Sequence, residues 1–395
     1  MTIQLQYTGV QGDAGAPAEV TPFRIDIPQA AVDDLRTRLH RTRFGAELPG
    51  QGWDRGVPRD WAERVADYWA DRYDWREQER ALNELDQFTT VIDGQPIHFA
   101  HVRSANPGAV PLLCLHDWPG SFVVYTKVAA DLAENFHLVI PDTPGVAFSG
   151  PLTSPGWNTP RIARAYTELM RRLGYERFGI QGQGGAGAGY ATEIARQQPG
   201  QVLGVHVNAL LTFPSGDPEE FAGLTDDEQA RLARLQHFRD DMMGFNVLQS
   251  TRPHTVAFAL HDSPVGQLAW IGEKFKEWTD PESQTPEDAV GLDTLLTNVS
   301  LYWFTATAGS SANLYYEMAH DPGAYAPKPR VEVPLAVLMA TGSDITIRRF
   351  AERDYHVVRW TEVPRGGNFQ PLEQPSLLAA DVRDFFTNDA ERSLS

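Results

Sequence analysis

Short apolar runs alternate with amphipathic helical stretches between residues 88 and 210. Strands are predicted at 88–92, 97–102, 111–115, 137–141, 178–181 and 202–210, with helices at 125–135, 159–173 and 190–198. Strands that alternate with helices of this length indicate right-handed βαβ units and a mostly parallel sheet flanked by helices. The fold class predicted from the pattern is therefore α/β.

This alternation stops between residues 214 and 327, where helical patterns at 225–238, 264–277 and 292–308 predict an inserted helical cap. It resumes with strands at 334–339 and 357–362, a helix at 347–354 and a last helix at 377–386, for which Ser376 is the expected N-cap. An insertion at this point of an open α/β sheet covers the carboxyl ends of the strands, where such sheets bind ligands.

The first part of the chain predicts a helical arm rich in aromatic residues. A helix is expected at 28–43, and residues 11–19 have the composition of a loose leader. We predict four regions: leader and arm at 1–86, the first part of the core at 87–213, the cap at 214–330 and the second part of the core at 331–395. The arm's aromatic stripe is expected to pack on a neighbouring domain, and it comprises Trp53, Trp61, Tyr68, Trp69, Tyr73 and Trp75.

Charge and composition exclude several classes of partner. The 395 residues carry a net charge of -18, from Asp+Glu 52 against Lys+Arg 34, which disfavours nucleic acid as a partner. No apolar stretch approaches the roughly 20 residues that span a bilayer, and the N-terminus lacks a basic signal region, so we expect a cytoplasmic protein without membrane contact. Cys114 lies in an apolar run and is expected to be buried.

Residues 178–187 have the form of a strand, a sharp glycine turn and a helix start. Such an elbow presents one reactive side chain in many hydrolases, because small neighbours allow the strained turn. Here the tip of the turn is a glycine. The same residues also match the dinucleotide fingerprint G-x-G-x-x-G, but the strand comes late in the chain and no acidic residue follows about 20 positions later.

Three further phrases occur in order along the chain, at 116–121, 141–150 and 365–369. Together with the cap phrases at 249–253 and 262–266 and the aromatic arm, they resemble the microsomal-type epoxide hydrolase family of the α/β-hydrolase superfamily. The resemblance covers residues 21–386. It implies an α/β-hydrolase fold in which an elbow aspartate attacks the epoxide, a histidine activates water, an acid orients the histidine, and two cap tyrosines hold the epoxide oxygen.

The sequence departs from this pattern where the resemblance places the reacting groups. The aspartate position holds Gly184, or Gly185 if the turn carries an insertion, and the histidine position holds Asn368. An amide cannot act as a base near neutral pH. One tyrosine position holds Phe245, whereas the other keeps Tyr315.

Two carboxylates remain near these positions. Asp344 matches the acid of the family, and Asp117 replaces a glycine that is usual after the histidine of the 116–121 phrase. Each has a purely structural alternative, as a helix cap or a partner for backbone amides. His356 precedes the strand that leads to Asn368 and is either a substitute base or an ordinary surface histidine.

These observations predict an enzyme that has lost covalent epoxide hydrolysis. We expect a cofactor-free addition or cyclisation, with carbon–carbon bond formation as one option, on a bulky electrophilic intermediate of natural product biosynthesis. The alternatives are a non-catalytic binding or self-resistance protein for a reactive hydrophobic compound, and residual epoxide hydrolysis with water activated by Asp117 or Asp344. The histidines are scattered and predict no metal site, and a homodimer is left open.

The predicted site is assembled from these positions. The predicted catalytic residues are Tyr315, Asp117 and Asp344. The predicted substrate-binding residues are His116, Trp118, Gln183, Gly184, Gly185, Phe245 and Asn368.

Overall fold

The computed structural model of the protein describes residues 19–324 and 326–389. Its centre is a nine-stranded sheet in the order β1-β2-β3-β5-β4-β6-β7-β8-β9. The strands are β1 Thr21–Phe23, β2 Gln87–Ile92, β3 Gln95–Val102, β4 Val110–Leu115, β5 Phe136–Pro141, β6 Phe178–Gln183, β7 Val202–Asn208, β8 Val331–Ala340 and β9 Tyr355–Val363.

The sheet is antiparallel on one side of β5 and parallel on the other. The pairs from β1 to β5 are antiparallel, whereas β5, β4, β6, β7, β8 and β9 are parallel neighbours. In a parallel sheet both faces are covered by helices, so its strands read as continuous apolar runs. The α/β-hydrolase fold predicted from the sequence is confirmed.

Helices α1–α3 form the N-terminal arm, and α4–α6 connect the core strands. The arm comprises α1 Gln29–His40, α2 Arg59–Asp71 and α3 Trp75–Leu82; the next helices are α4 Ala129–Ala133, α5 Thr159–Arg172 and α6 Gly184–Gln197. The arm packs on the cap: the Trp69 indole donates a hydrogen bond to Ser300 Oγ (3.1 Å), and the Tyr73 and Thr297 hydroxyls are 2.9 Å apart. Within the stripe, Trp61, Trp69, Tyr73 and Trp75 are buried, and Trp53 and Tyr68 are half-buried, so most of its surface is covered by the rest of the chain.

The helices between β7 and β8 form the cap. They are α7 Asp226–His237, a π-helical turn Phe238–Met242, α8 Gly244–Thr251, α9 Pro253–Asp262, α10 Pro264–Trp278, α11 Pro286–Val290, α12 Leu292–Phe304 and α13 Ala308–Ala319. After β8 come α14 Arg348–Asp354, α15 Gln370–Glu373 and α16 Pro375–Asp384. Helix α16 begins at Pro375, so Ser376 lies in its first turn and the N-cap predicted there is wrong.

Candidate active site

The elbow follows β6 directly, and glycines make it possible. Gly184, the first residue of α6, has φ +71, a left-handed conformation that side chains disfavour. A Cβ on Gly182 would lie 2.6 Å from the Gly187 carbonyl oxygen, and one on Gly187 would lie 2.5 Å from the Leu115 carbonyl oxygen. The positive φ places Gly184, not Gly185, at the tip of the elbow.

The carboxylate of Asp117 lies over this tip. Asp117 Oδ1 accepts hydrogen bonds from the backbone N–H groups of Trp118 (2.8 Å) and Ala186 (3.2 Å). Asp117 Oδ2 faces the side-chain amide of Asn368 at 3.4 Å. A Cβ on Gly184 would lie 2.3 Å from Asp117 Oδ2. The β4 loop therefore places a carboxylate in the space that a side chain at the elbow tip would need.

Burial sets the proton affinity of Asp117. Its residue surface is 7% exposed, and desolvation raises the pKa of its carboxyl to about 6, against the opposing effect of the hydrogen bonds from Ala186 and Trp118. The N-terminal end of α6 adds a favourable partial charge for an anion. Asp117 is thus mostly ionised at neutral pH and still accepts a proton readily, which is what a general base requires.

Buried amides fix Asp117 relative to Asn368. Gln183 Oε1 accepts from the backbone N–H of Asp117 (2.8 Å), and Gln183 Nε2 donates to the carbonyl of Asn368 (2.7 Å). Asn208 donates to the same carbonyl at 2.9 Å and accepts from Gln181 at 3.1 Å. Since this network carries no charge, it orients the two loops without neutralising the carboxylate of Asp117.

The cap also holds the loop of Asn368. The backbone N–H of Asn368 donates to the Trp278 carbonyl at the end of α10 (2.6 Å). The carboxylate of Glu373 accepts from the N–H groups of Phe369 (3.0 Å) and Asp280 (2.7 Å), which joins the core loop to the cap. The position of the Asn368 amide therefore depends on where the cap lies.

Asp344 is buried but stands apart from Asn368. Its Oδ2 accepts from the backbone N–H of Ala340 (2.8 Å), and burial raises the pKa of its carboxyl to about 7. Among the described residues its carboxylate forms no hydrogen bond with the Asn368 side chain. The structural role considered for Asp344, a partner for backbone amides, is present; a second role as a proton acceptor would require contact with the ligand.

Aromatic rings form the wall opposite the elbow. Trp118 and Phe245 stack with an interplanar angle of 3° and centroids 5.3 Å apart, and Tyr315 meets Trp118 edge-on at 5.5 Å. Phe245 also lies under the Lys274 ammonium at 4.8 Å. Burial, reinforced by the charge of Asp117, raises the pKa of the Tyr315 hydroxyl. This hydroxyl has no hydrogen-bond partner in the described part of the chain, so it is available to a ligand.

These groups line a cavity of about 770 Å³ between core and cap. The cavity is mostly apolar, as expected for a site that binds a bulky hydrophobic molecule. Of the predicted site residues, those on its wall are Asp117, Trp118, Gly185, Phe245, Tyr315, Asp344 and Asn368.

The remaining predicted site residues lie behind the wall. His116 Nε2 accepts from the Thr143 N–H (3.0 Å) and its Nδ1 lies 3.1 Å from the Asp117 carbonyl, so its ring holds the turn together. Gln183 serves the amide network, and Gly184 is covered by Asp117. None of these three residues is on the cavity wall, and a substrate-binding role for them stays a prediction. His356 is the second residue of β9, at the amino end of the strand, where its ring contacts the Glu332 carbonyl at 3.1 Å.

Within residues 19–324 and 326–389, histidine, cysteine and carboxylate side chains form no group of three that could hold a metal ion. In the same part of the chain, no helix has the length and apolar character needed to cross a bilayer.

Comparison with known proteins identifies the family. The family described as epoxide hydrolase N terminus matches residues 20–125, and the one described as alpha/beta hydrolase fold matches residues 110–269. A Stigmatella aurantiaca (strain DW4/3-1) protein that bears an epoxide hydrolase name is 41% identical, over 93% of this chain and 84% of that protein. The chain belongs to the epoxide hydrolase family. Epoxide hydrolase 1 of Oryctolagus cuniculus is 31% identical, over 93% of this chain and 88% of that protein.

Solved structures of epoxide hydrolases share the whole fold. The juvenile hormone epoxide hydrolase of the silkworm Bombyx mori superposes with a TM-score of 0.88 at 30% identity, covering 96% of both chains. The Aspergillus niger epoxide hydrolase superposes with a TM-score of 0.82 at 30% identity, covering 94% of this chain and 97% of that one. The arm, core and cap of this chain are thus those of the epoxide hydrolase family.

Several wall residues of this epoxide hydrolase family member were not predicted. Trp278 ends α10, and Leu211 and Phe213 follow β7, so their apolar side chains look like ordinary core positions in the sequence. Gln181 and Asn208 carry a signal that could have been used. Each is a polar residue in an otherwise apolar parallel strand, and a buried amide requires hydrogen-bond partners.

Proposed function

We propose that this protein catalyses a cofactor-free, non-hydrolytic addition or cyclisation of a bulky electrophilic substrate, with Asp117 as the proton acceptor and Tyr315 as the proton donor. The observation that carries the proposal is the position of the Asp117 carboxylate. It is bonded to the amides of Trp118 and Ala186, covers Gly184 and reaches the wall of the cavity.

The residues argue against the covalent route of the family. That route needs a carboxylate at the elbow tip and an imidazole to release the ester, and the resemblance places Gly184 and Asn368 at these positions. If Asp117 itself attacked the substrate, the ester would remain, because the Asn368 amide cannot deprotonate water near neutral pH. A role for Asp117 in proton transfer avoids this trapped state.

The proposed step balances in protons and bonds. A hydroxyl or an acidic C–H of the substrate gives its proton to Asp117 as it attacks a carbon of the electrophilic ring. The carbon–oxygen bond of that ring breaks, and its oxygen receives a proton from Tyr315. The proton on Asp117 then returns to the Tyr315 phenolate through product or solvent. In a cyclisation the product is an isomer of the substrate, and in an addition it contains all atoms of both reactants, so no redox cofactor is needed.

Two observations support an epoxide as the electrophile. The relatives named above are called epoxide hydrolases, and Tyr315 lies at the position of a cap tyrosine that holds the epoxide oxygen in the family. The volume of about 770 Å³ accommodates a substrate with several rings. Holding its nucleophilic and electrophilic ends together could lower the barrier by roughly 7–11 kcal/mol.

A second candidate function is hydrolysis by a water molecule that Asp117 deprotonates. The names of the relatives favour it, and the same carboxylate and the same tyrosine would act. It differs from the first proposal only in the source of the attacking oxygen. The second buried carboxylate on the wall, Asp344, could serve a water molecule in the same way.

Product analysis separates these functions. The protein is incubated with polycyclic epoxides that carry an internal hydroxyl, and with matched epoxides that lack it. We expect a cyclic isomer of unchanged mass from the first set and no reaction with the second. Diols from both sets would establish hydrolysis instead, and stoichiometric binding without any product would establish a binding protein.

Replacing Tyr315 with phenylalanine is expected to lower kcat by roughly 10²-fold, because the leaving oxygen loses its proton donor. The aromatic contact with Trp118 is retained, so the melting temperature should change little. Initial rates and thermal melts of the Y315F variant measure both. Rates equal to those of the wild type would remove Tyr315 from the reaction.

The pH dependence should follow Asp117. Burial raises the pKa of its carboxyl from 3.8 to about 6, so kcat/KM is expected to rise with pH through about 6 and then level off as the base form fills. Stability should change in the opposite direction. The contribution of Asp117 to the free energy of unfolding falls as the pH rises from 3.8 to about 6, because the folded state holds the proton more tightly than the unfolded chain. If Asp344 also takes a proton, the plot of kcat/KM against pH has a second rise near 7. An Asp344→Asn variant would remove this rise and keep the one that belongs to Asp117.

A further inference from the structure

The cavity has two ends that differ in exposure. At the deep end Asp117 and Trp118 are 7% and 6% exposed. At the outer end Phe213 is 50% exposed, and Arg239 of the π-helical turn lies at the surface. A ligand that fills the cavity from Asp117 outwards would place its distal part at the outer end.

The cap lines this outer end with guanidinium groups. Arg234 of α7 is half-buried, and its guanidinium donates only to carbonyl oxygens, those of Thr341 (3.1 Å) and Asp344 (3.0 Å). It forms no salt bridge with a carboxylate of the described residues, and burial lowers its pKa. Asp227 and Asp344 attract this cation at longer range, but neither carboxylate accepts a hydrogen bond from it, so its remaining N–H groups are open to an anion.

The second guanidinium is that of Arg239. Its side chain forms no hydrogen bond or salt bridge with the described residues, and it also lines the cavity.

The nearby carboxylates do not bond to these guanidinium groups. Asp240 accepts from Gln236 (2.6 Å) and Asp241 contacts His237 (2.9 Å), and neither carboxylate is on the cavity wall. On the wall, Glu277 accepts from Lys274 at 2.7 Å, and burial raises the pKa of Asp344 to about 7. The guanidinium groups of Arg234 and Arg239 therefore line the cavity without a carboxylate bonded to either.

We infer that the outer end of the cavity binds an anionic group of the substrate, a carboxylate on its apolar ring system, through Arg239 and Arg234. The apolar body would lie along Leu211, Phe213 and Met243. A charge-assisted pair with a guanidinium at the mouth fixes which end of the molecule enters first. The inference deepens the proposed function, and rests on it only in taking the Asp117 end as the reacting end.

Two dyes test this site without turnover. The anionic dye 1-anilinonaphthalene-8-sulfonate and the neutral N-phenyl-1-naphthylamine share a ring system and differ in the acidic group. Fluorescence titrations of the whole protein give both dissociation constants. We expect tighter binding of the anionic dye, weakened by salt, and a loss of about five- to tenfold in the Arg239→Gln variant.

Two control variants separate a local contact from a change in total charge. Arg36→Gln removes the same charge on the exposed face of α1, away from the cavity, and should leave both dyes unaffected. Arg239→Lys should recover part of the affinity for the anionic dye, and the neutral dye should not distinguish any of these variants.

Equal affinities for the two dyes, failure of both to bind, or the same loss in Arg36→Gln would overturn the anion site. Since the dyes do not react, these outcomes are independent of the product analysis that tests the proposed function.

Discussion

Replacing Asp117 with asparagine is expected to lower turnover by about 10²- to 10⁴-fold, the usual contribution of a general base. The amide keeps the shape of the carboxylate, and its oxygen can still accept from the N–H groups of Trp118 and Ala186. It cannot take a proton from the substrate. Steady-state rates on the substrate that cyclises, measured beside binding affinity, should show a large fall in kcat with little change in binding.

The stability of D117N provides the control for this result. Because burial raises the pKa of Asp117 to about 6, ionising this carboxyl at neutral pH costs folding free energy. A neutral amide removes that cost, so the variant should melt at the same temperature as the wild type or higher. Unchanged turnover with raised stability would instead mean that Asp117 serves only to satisfy the amides of the elbow.

The second large effect is expected when the carboxylate is moved from position 117 to position 184 at the elbow tip. Gly184→Asp alone should be strongly destabilised, by roughly 2–5 kcal/mol, because it combines a side chain at positive φ with a clash. Its Cβ would lie 2.3 Å from Asp117 Oδ2 and 2.6 Å from Asn368 Oδ1. Adding Asp117→Gly and Asn368→His clears this space and supplies a nucleophile and a base.

The triple variant D117G/G184D/N368H should therefore fold and form diols from simple epoxides. We expect its rate to exceed that of the D117G/G184N/N368H control by about 10³-fold or more, since the control lacks only the attacking carboxylate. Thermal melts and diol formation are measured on all variants. A stable G184D single variant, or diol formation by the control at the rate of the triple variant, would contradict the coupling of the two positions.

Much of the fold could be predicted because burial on both faces makes parallel strands into apolar runs. The predicted strand at 178–181 and helix at 159–173 correspond to β6 Phe178–Gln183 and α5 Thr159–Arg172. The strand β1 Thr21–Phe23 was missed, because it has three residues and no periodicity. Helix α8 Gly244–Thr251 was missed as well: it starts at a glycine and is followed by Pro253.

The candidate site was predictable residue by residue, but its arrangement was not. Sequence phrases identified Asp117 and Asn368, and they left open whether Gly184 or Gly185 is the tip. That Asp117 lies over Gly184 depends on how the loop after β4 packs against the start of α6. Contacts of this kind join positions far apart in the chain, and local pattern carries no information about them.

Contacts between distant positions also decide where the His116 ring lies. Its place after an apolar strand suggests exposure to substrate, yet hydrogen bonds to Thr143 and the Asp117 backbone direct its ring into the protein. Phe245 was expected at the substrate, and it lines the cavity. Its contact with the Lys274 ammonium joins two cap helices that the sequence pattern cannot place relative to each other.

The central claim is that Asp117 moves a proton and does not form an ester. Single-turnover reactions in water labelled with heavy oxygen, followed by mass spectrometry of the peptides that contain Asp117 and Gly184, test it most directly. The account predicts that neither peptide gains label or a substrate adduct, while the cyclic product also stays unlabelled. Heavy oxygen or a covalent adduct on Asp117 would contradict it and identify this carboxylate as a nucleophile.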